Sequence, residues 1–253
     1  MWRKLHSLTG VVPVGVFLLF HLWTNAQALQ GKQAFDEAVA EINRLPYLVL
    51  IEVLLIAVPL LLHAAIGLKI TLMARSNVSR YPTTRNWMYL LQRLSGVVTL
   101  AFVAYHLYAL RIQVALGKMD KADFFQELCS SMSATMGPGI PVVALVYLVG
   151  VAAAVLHFSN GLYGFCFAWG ITRSRRATRI VSGAFGLLGL ALFVLGANTV
   201  IYFATGTRLM WPTPVSASEP PALSCRDVAA ASLGADGPKP GPALGTTQSG
   251  DQP

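Results

Sequence analysis

The sequence predicts an all-α integral membrane protein with five transmembrane helices, and three observations predict it. Charge is scarce: 12% of the residues are Asp, Glu, Lys or Arg and 55% are hydrophobic, against about 25% charged residues in a soluble domain. Mean hydropathy is accordingly high, at +0.57. The apolar residues gather into five stretches, approximately 8–28, 47–74, 87–113, 140–170 and 178–205, each long enough for the ~20-residue crossing of a bilayer. The charges that remain are sorted by side. These features exclude a soluble enzyme and a nucleic-acid binder, despite the net charge of +8.

Each stretch reads as one helix, numbered I to V in chain order. Helix I lacks an A-x-A-like cleavage site and carries His21 deep in its apolar run, so it reads as a retained span rather than a cleaved signal. Pro13 and Pro59 should kink helices I and II, because proline has no N–H for the helical ladder. Gly183, Gly186 and Gly189 give helix V a small-residue face suited to close helix packing. Trp2, Trp23, Trp87, Trp169 and Trp211 fall near helix ends, as an aromatic belt does. From 207 the chain turns to Pro, Gly, Ala, Ser and Thr (WPTPVSASEPPALS, then GPKPGPALGTTQSGDQP). A five-helix membrane domain over 1–206 and an extended tail over 207–253 are therefore expected.

Charge sets the orientation. Eleven bases fall on one side (Arg3, Lys4, Lys69, Arg75, Arg80, Arg85, Arg93, Arg173, Arg175, Arg176 and Arg179), with no acid among them. The other side holds eight bases and all eleven acids. By the positive-inside rule the N-terminus is cytoplasmic, and five spans put the C-terminal tail outside. The basic face suits anionic lipid or an acidic partner subunit.

Four of the five histidines lie inside apolar helices, one on each of the first four: His21, His63, His106 and His157. Ionisable side chains are costly in a bilayer and mark functional sites. Counting along each helix puts His21 and His106 toward the outer side and His63 and His157 in the inner half. The two levels differ by about nine residues, roughly 13 Å. The sequence context repeats with the same pairing: LTGVV precedes His21 as LSGVV precedes His106, while His63 and His157 are each followed four residues later by glycine, Gly67 and Gly161. A repeated two-helix unit implies a pseudo-twofold axis near the membrane normal, which would bring equivalent histidines face to face. Facing imidazoles without thiolates suit bis-histidine ligation of b-type haem. Zinc would want four ligands at one depth. Only three cysteines occur, with no CxxC pair, so thiolate zinc sites, Cys-ligated iron–sulfur clusters and covalent haem attachment are excluded. Gly67 and Gly161, one turn after their histidines, should give a flat macrocycle room to approach.

The segments HSLTGVVPVGVFLLFHLWTN, RLSGVVTLAFVAYHLY and HFSNGLYGFCFAWGIT resemble the five-helix, dihaem cytochrome b subunit of bacterial succinate:quinone oxidoreductases, the succinate dehydrogenase/fumarate reductase family. The resemblance covers residues 3–206. It implies a multi-pass anchor in the bacterial inner membrane, holding a flavoprotein and an iron–sulfur subunit on its cytoplasmic face. FAD and iron–sulfur clusters then belong to those partners, and no succinate chemistry falls on this chain. It also implies two haems b, with His63 and His157 as axial ligands of the inner one and His21 and His106 of the outer one, relaying electrons to quinone, menaquinone for preference. The heterotrimer could join into a higher oligomer.

One position departs from the family pattern. Members that work as menaquinol:fumarate reductases carry a glutamate two residues before the helix IV ligand; here it is Val155, and helix IV holds no acid. That favours the succinate-oxidising direction. The rival readings are a dihaem cytochrome b of a hydrogenase or formate dehydrogenase, and a transporter with a histidine relay.

Other residues carry weaker expectations. His6 reads as an interfacial or subunit-contacting residue beside Arg3 and Lys4. Ser7, Thr9, Lys69, Trp87 and Arg93 could hold haem propionates at the inner ends of the helices, or, for the bases, snorkel to lipid. Asp36, Glu37, Glu41 and Glu52 could relay protons near the outer haem, although solvated loop positions explain them too. Cys129 and Cys225 both fall on the oxidising side, where a disulfide between them is expected.

Overall fold

The computed structural model describes residues 2–210 and Cys225. Among the described residues five helices are long and apolar enough to cross a membrane: helix I Trp2–Gln30, II Leu48–Leu72, III Thr84–Ala115, IV Val142–Ala168 and V Arg175–Thr205. Helices I, II, III and IV contact one another in a ring, and helix V lies outside it against IV and the second half of I. Among the described residues there is no β-strand. Apolar side chains face outward along the spans, with Leu61 68% and Leu187 69% exposed. That is the arrangement lipid requires, since a bilayer solvates leucine where water would not. The tail expected over 207–253, with Trp211 in it, lies outside the described residues from 211 onward, apart from Cys225.

Helix I starts at Trp2 rather than near residue 8, and this brings His6 inside the span. WRKLHSLTG contains no early helix breaker, and Arg3 and Lys4 can extend their heads past the apolar boundary. The two prolines act differently. Helix I is interrupted at Val12, directly before Pro13, which cannot donate to the ladder. In helix II the turn before Pro59 widens instead, into a π segment over Glu52–Ala57. A second π segment, Leu107–Ile112, follows His106 in helix III. The two segments are joined by an ion pair, Arg111 to Glu52 at 2.7 Å. Helices III and V start on side-chain caps, Thr83 and Ser174, which accept from the backbone N–H of Asn86 and Ala177. Helix V ends at Gly206, whose φ of 68° only glycine adopts without strain.

The connections on the acidic side contain two further helices, Lys32–Asn43 and Phe124–Ser133, where only loops were expected. Phe125, Leu128, Cys129 and Met132 form one apolar stripe at helical spacing. They pack with Leu29, Phe35, Tyr202, Phe203 and Cys225 into the most completely buried cluster among the described residues. Cys129 and Cys225 are joined there by a disulfide, with Cα atoms 5.2 Å apart. A bond closing a loop of 96 residues stabilises by up to about 4–5 kcal/mol on the chain-entropy view.

The small-residue face of helix V is displaced from its expected place. Among the described residues a Cβ on Gly183 or Gly186 would meet nothing within 4 Å, whereas one on Gly189 would lie 2.7 Å from Ser159 Oγ and one on Gly196 2.7 Å from Val151 of helix IV. Gly196→Leu should therefore lower the melting midpoint of the purified protein by several degrees, an overpacking cost of about 1–3 kcal/mol. Gly183→Leu should leave it unchanged. For the disulfide, alkylation in denaturant followed by intact-mass measurement should label one cysteine, Cys166, without reductant and all three with it. Three labels without reductant would exclude the bond.

Candidate functional site

Histidines on four different helices turn into the ring. His63 and His157 meet edge to face with ring centres 6.0 Å apart and planes at 85°. His21 and His106 meet in the same way at 5.7 Å and 79°. His6 stacks on His63 with ring centres 4.0 Å apart and planes at 15°. It is therefore packed against another histidine instead of lying at the surface. Parallel rings this close cannot take one metal between them from opposite sides.

Each imidazole is oriented by a neighbour. The Nδ1–H of His63 donates to the backbone carbonyl of His6 at 2.8 Å, and the Nδ1–H of His6 returns the bond to the carbonyl of His63 at 3.0 Å. On the opposite helices, His157 Nδ1 donates to the carbonyl of Gln92 at 3.0 Å, and Gln92 Nε2 donates to the carbonyl of His157 at 3.0 Å. Asn160 Nδ2 donates to Gln92 Oε1 at 2.7 Å and so fixes the direction of that amide. His106 Nδ1 lies 3.1 Å from the hydroxyl of Tyr147. Phe102 packs against both rings. His21 is flanked by Phe17, and Asn25 Nδ2 donates to its carbonyl at 2.8 Å.

An imidazole whose Nδ1–H is bound by an acceptor keeps the lone pair of Nε2 free, which is how metal-ligating histidines are usually oriented. His63 and His157 have this arrangement, and the hydroxyl beside His106 can supply it there. Two Nε2 atoms bonded to one metal at about 2 Å each would put the ring centres roughly 6 Å apart, close to both observed separations. Neutral nitrogen donors in facing pairs, in a thiolate-free apolar core, fit axial ligation of a b-type haem at each level.

Several expectations change. Gly67 and Gly161 do not line an approach for a macrocycle. A Cβ on Gly67 would lie 2.7 Å from the His6 ring, and one on Gly161 would lie 3.4 Å from the Gln92 amide. The glycines against the two facing rings are Gly10, beside His63, and Gly96, beside His157. Ser7 donates to Lys4 and accepts from Trp169, while Thr9 bonds its own helix. Arg93 lies over the Tyr89 ring, donates to the Tyr89 carbonyl and leaves a buried Nε without a partner among the described residues. Asp36 and Glu37 are matched with Lys32 and Gln33 of their own helix, Glu41 with Arg44 directly after that helix, and Glu52 reaches across to Arg111. Gln92 and Tyr147 carried no expectation from sequence. The LTGVV and LSGVV repeat, extended two residues toward the N-terminus, would have singled out residues 6 and 92 together.

A ring of membrane helices whose core holds histidines in facing pairs defines a class of cofactor-binding membrane subunit. The sequence of the chain narrows it. The family described as succinate dehydrogenase/fumarate reductase transmembrane subunit matches residues 1–85 and 74–197. The succinate dehydrogenase cytochrome b558 subunit of Bacillus subtilis is 37% identical over 202 residues, covering 80% of this chain and 96% of that protein. The chain belongs to the succinate dehydrogenase/fumarate reductase transmembrane-subunit family.

Proposed function

We propose that this chain is the cytochrome b membrane anchor of a succinate dehydrogenase, and that it carries electrons from an iron–sulfur subunit to quinone. Two haems b, when bound, would supply the one-electron relay across an apolar core about 30 Å thick, too wide for a single hop. The observation that carries this reading is the pair of facing histidine couples in the helix ring, oriented by hydrogen bonds from neighbouring helices. The family match supports it, and it does not favour a hydrogenase or formate dehydrogenase cytochrome or a transporter.

In this reading His63 and His157 hold the inner haem and His21 and His106 the outer one. The protein's task at each site is to present two neutral Nε2 donors at a fixed spacing and to keep water away from them. The carbonyls of His6 and Gln92 set the tautomer at the inner pair, and the Tyr147 hydroxyl does so for His106. The basic ends of the helices face the cytoplasm and dock the iron–sulfur and flavoprotein subunits, whose clusters and FAD begin the chain. The disulfide at the other end of the bundle supports this orientation, because such bonds persist on the oxidising side of a bacterial inner membrane. Residues 1–206 form the membrane domain and 207–253 a periplasmic extension. The absence of an acid from helix IV supports the succinate-oxidising direction, and the resemblance to dihaem members of the family supports menaquinone as acceptor.

Replacing either member of a facing pair should empty one site, because noncovalent haem depends on both axial bonds. Redox titration of the purified complex should lose one component in His63→Ala and in His157→Ala, and the other in His21→Ala and in His106→Ala. Loss of the same component in His21→Ala and His63→Ala would refute the pairing. For orientation, reporter fusions after Arg80 should behave as cytoplasmic and after Gly206 as periplasmic. The opposite pattern would reverse the order of the two haems.

A further inference from the structure

The bonds around the inner pair form one device used twice. Residue 6 and residue 92 stand 86 positions apart, as do Gly10 and Gly96 and the LTGVV and LSGVV runs; His63 and His157 stand 94 apart, as do Gly67 and Gly161. In each copy two residues on adjacent helices exchange hydrogen bonds. His6 and His63 exchange Nδ1–H to carbonyl bonds at 3.0 and 2.8 Å, and Gln92 and His157 exchange an amide and an Nδ1–H to carbonyl at 3.0 and 3.0 Å. Each of these four residues is followed four positions later by a glycine, and the partner side chain lies over that glycine.

There is a physical reason for that spacing. A helical carbonyl at position i points toward residue i+4, and the side chain of i+4 leans back toward the N-terminus over it. Glycine at i+4 uncovers the carbonyl, so its second lone pair can take a hydrogen from the neighbouring helix. A Cβ at Gly96 would come within 2.8 Å of the His157 ring and one at Gly67 within 2.7 Å of His6. Either would push the two helices apart. The outer pair has no such arrangement, because His21 is followed by Asn25 and His106 by Leu110 at that spacing.

We propose that His6 and Gln92 are equivalent positioning residues of the inner haem site, each holding the ligand of the following helix in one rotation and tautomer through this reciprocal pair of bonds. The inference rests on the reading of His63 and His157 as axial ligands. His6 itself is not a ligand; it fills the place that Gln92 fills in the second copy. The two residues should then be interchangeable in kind. An amide at 6 can donate to the His63 carbonyl as Gln92 does to that of His157, whereas an apolar side chain of similar size cannot.

The test uses the intact complex in membranes, with haem content, the low-temperature EPR signal of each ferric haem and each midpoint potential as readouts. His6→Phe keeps the stacked ring but loses the donor, and Gln92→Met keeps the length but loses the amide. Both should retain two haems while shifting the EPR signal and potential of the inner haem alone. His6→Gln should restore the wild-type signal. Unchanged signals in both His6→Phe and Gln92→Met would overturn the positioning role and leave the ligand assignment standing. Loss of a haem in His6→Gln as well as His6→Phe would overturn it too, because His6 would then be a ligand itself. Should Gln92→Met not assemble, Gln92→His decides instead: a normal inner-haem signal supports equivalence and loss of that haem refutes it. Failure of the ligand assignment itself shows separately, as retention of the inner component in His63→Ala.

Discussion

An imidazole N–H placed in an apolar bilayer core must find its acceptor inside the protein. Left unpaired, it costs several kcal/mol that no lipid returns. Helices offer few acceptors, since their carbonyls are already used along the helix and covered by side chains. In this chain the acceptors become available where glycine uncovers a carbonyl, at Gly10 and Gly96, and where a tyrosine leans in, at Tyr147. Much of the helix arrangement follows from that need. Helices I and II approach closely through His6 and His63, III and IV through Gln92 and His157, and each contact holds a nitrogen lone pair available for a metal.

Much of this was legible in the sequence. Composition and five apolar runs defined the class of fold, because membrane solvation is read from hydropathy alone. Counting along the runs put the intramembrane histidines at two levels, and the repeated LTGVV and LSGVV runs paired the helices. What could not be counted was rotation about each helix axis. Depth is a sum of 1.5 Å steps, but the face that a residue presents depends on where its helix starts and how its turns widen. Pro13 interrupts helix I and the π segments shift the faces of II and III, and depth alone does not say that Gly67 faces His6 and Gly161 faces Gln92. Extending helix I back to Trp2 likewise carried His6 from the interface into the core.

The acidic side of the bundle was less legible for a different reason. Its two short helices are amphipathic, and their apolar residues are too few to stand out beside the spans. Phe125, Leu128, Cys129 and Met132 show the spacing clearly once the helix is known. They make a small water-type core of aromatic and sulfur side chains, capping a bundle whose spans are largely apolar on their outer faces. Two kinds of solvent therefore shape one short chain, lipid along the spans and water over this cap.

The bond between Cys129 and Cys225 encloses helices IV and V. Everything from the cap through helix IV, the basic turn at 169–174 and helix V back to the cap is a covalent ring. The ring passes through the membrane twice, and it can close only after helix V has delivered its far end to the same side as Cys129. A closed ring is thus a chemical record that the last span has been threaded. A single cut in the basic turn would leave both fragments of the chain attached to one another until the sulfur bridge is reduced.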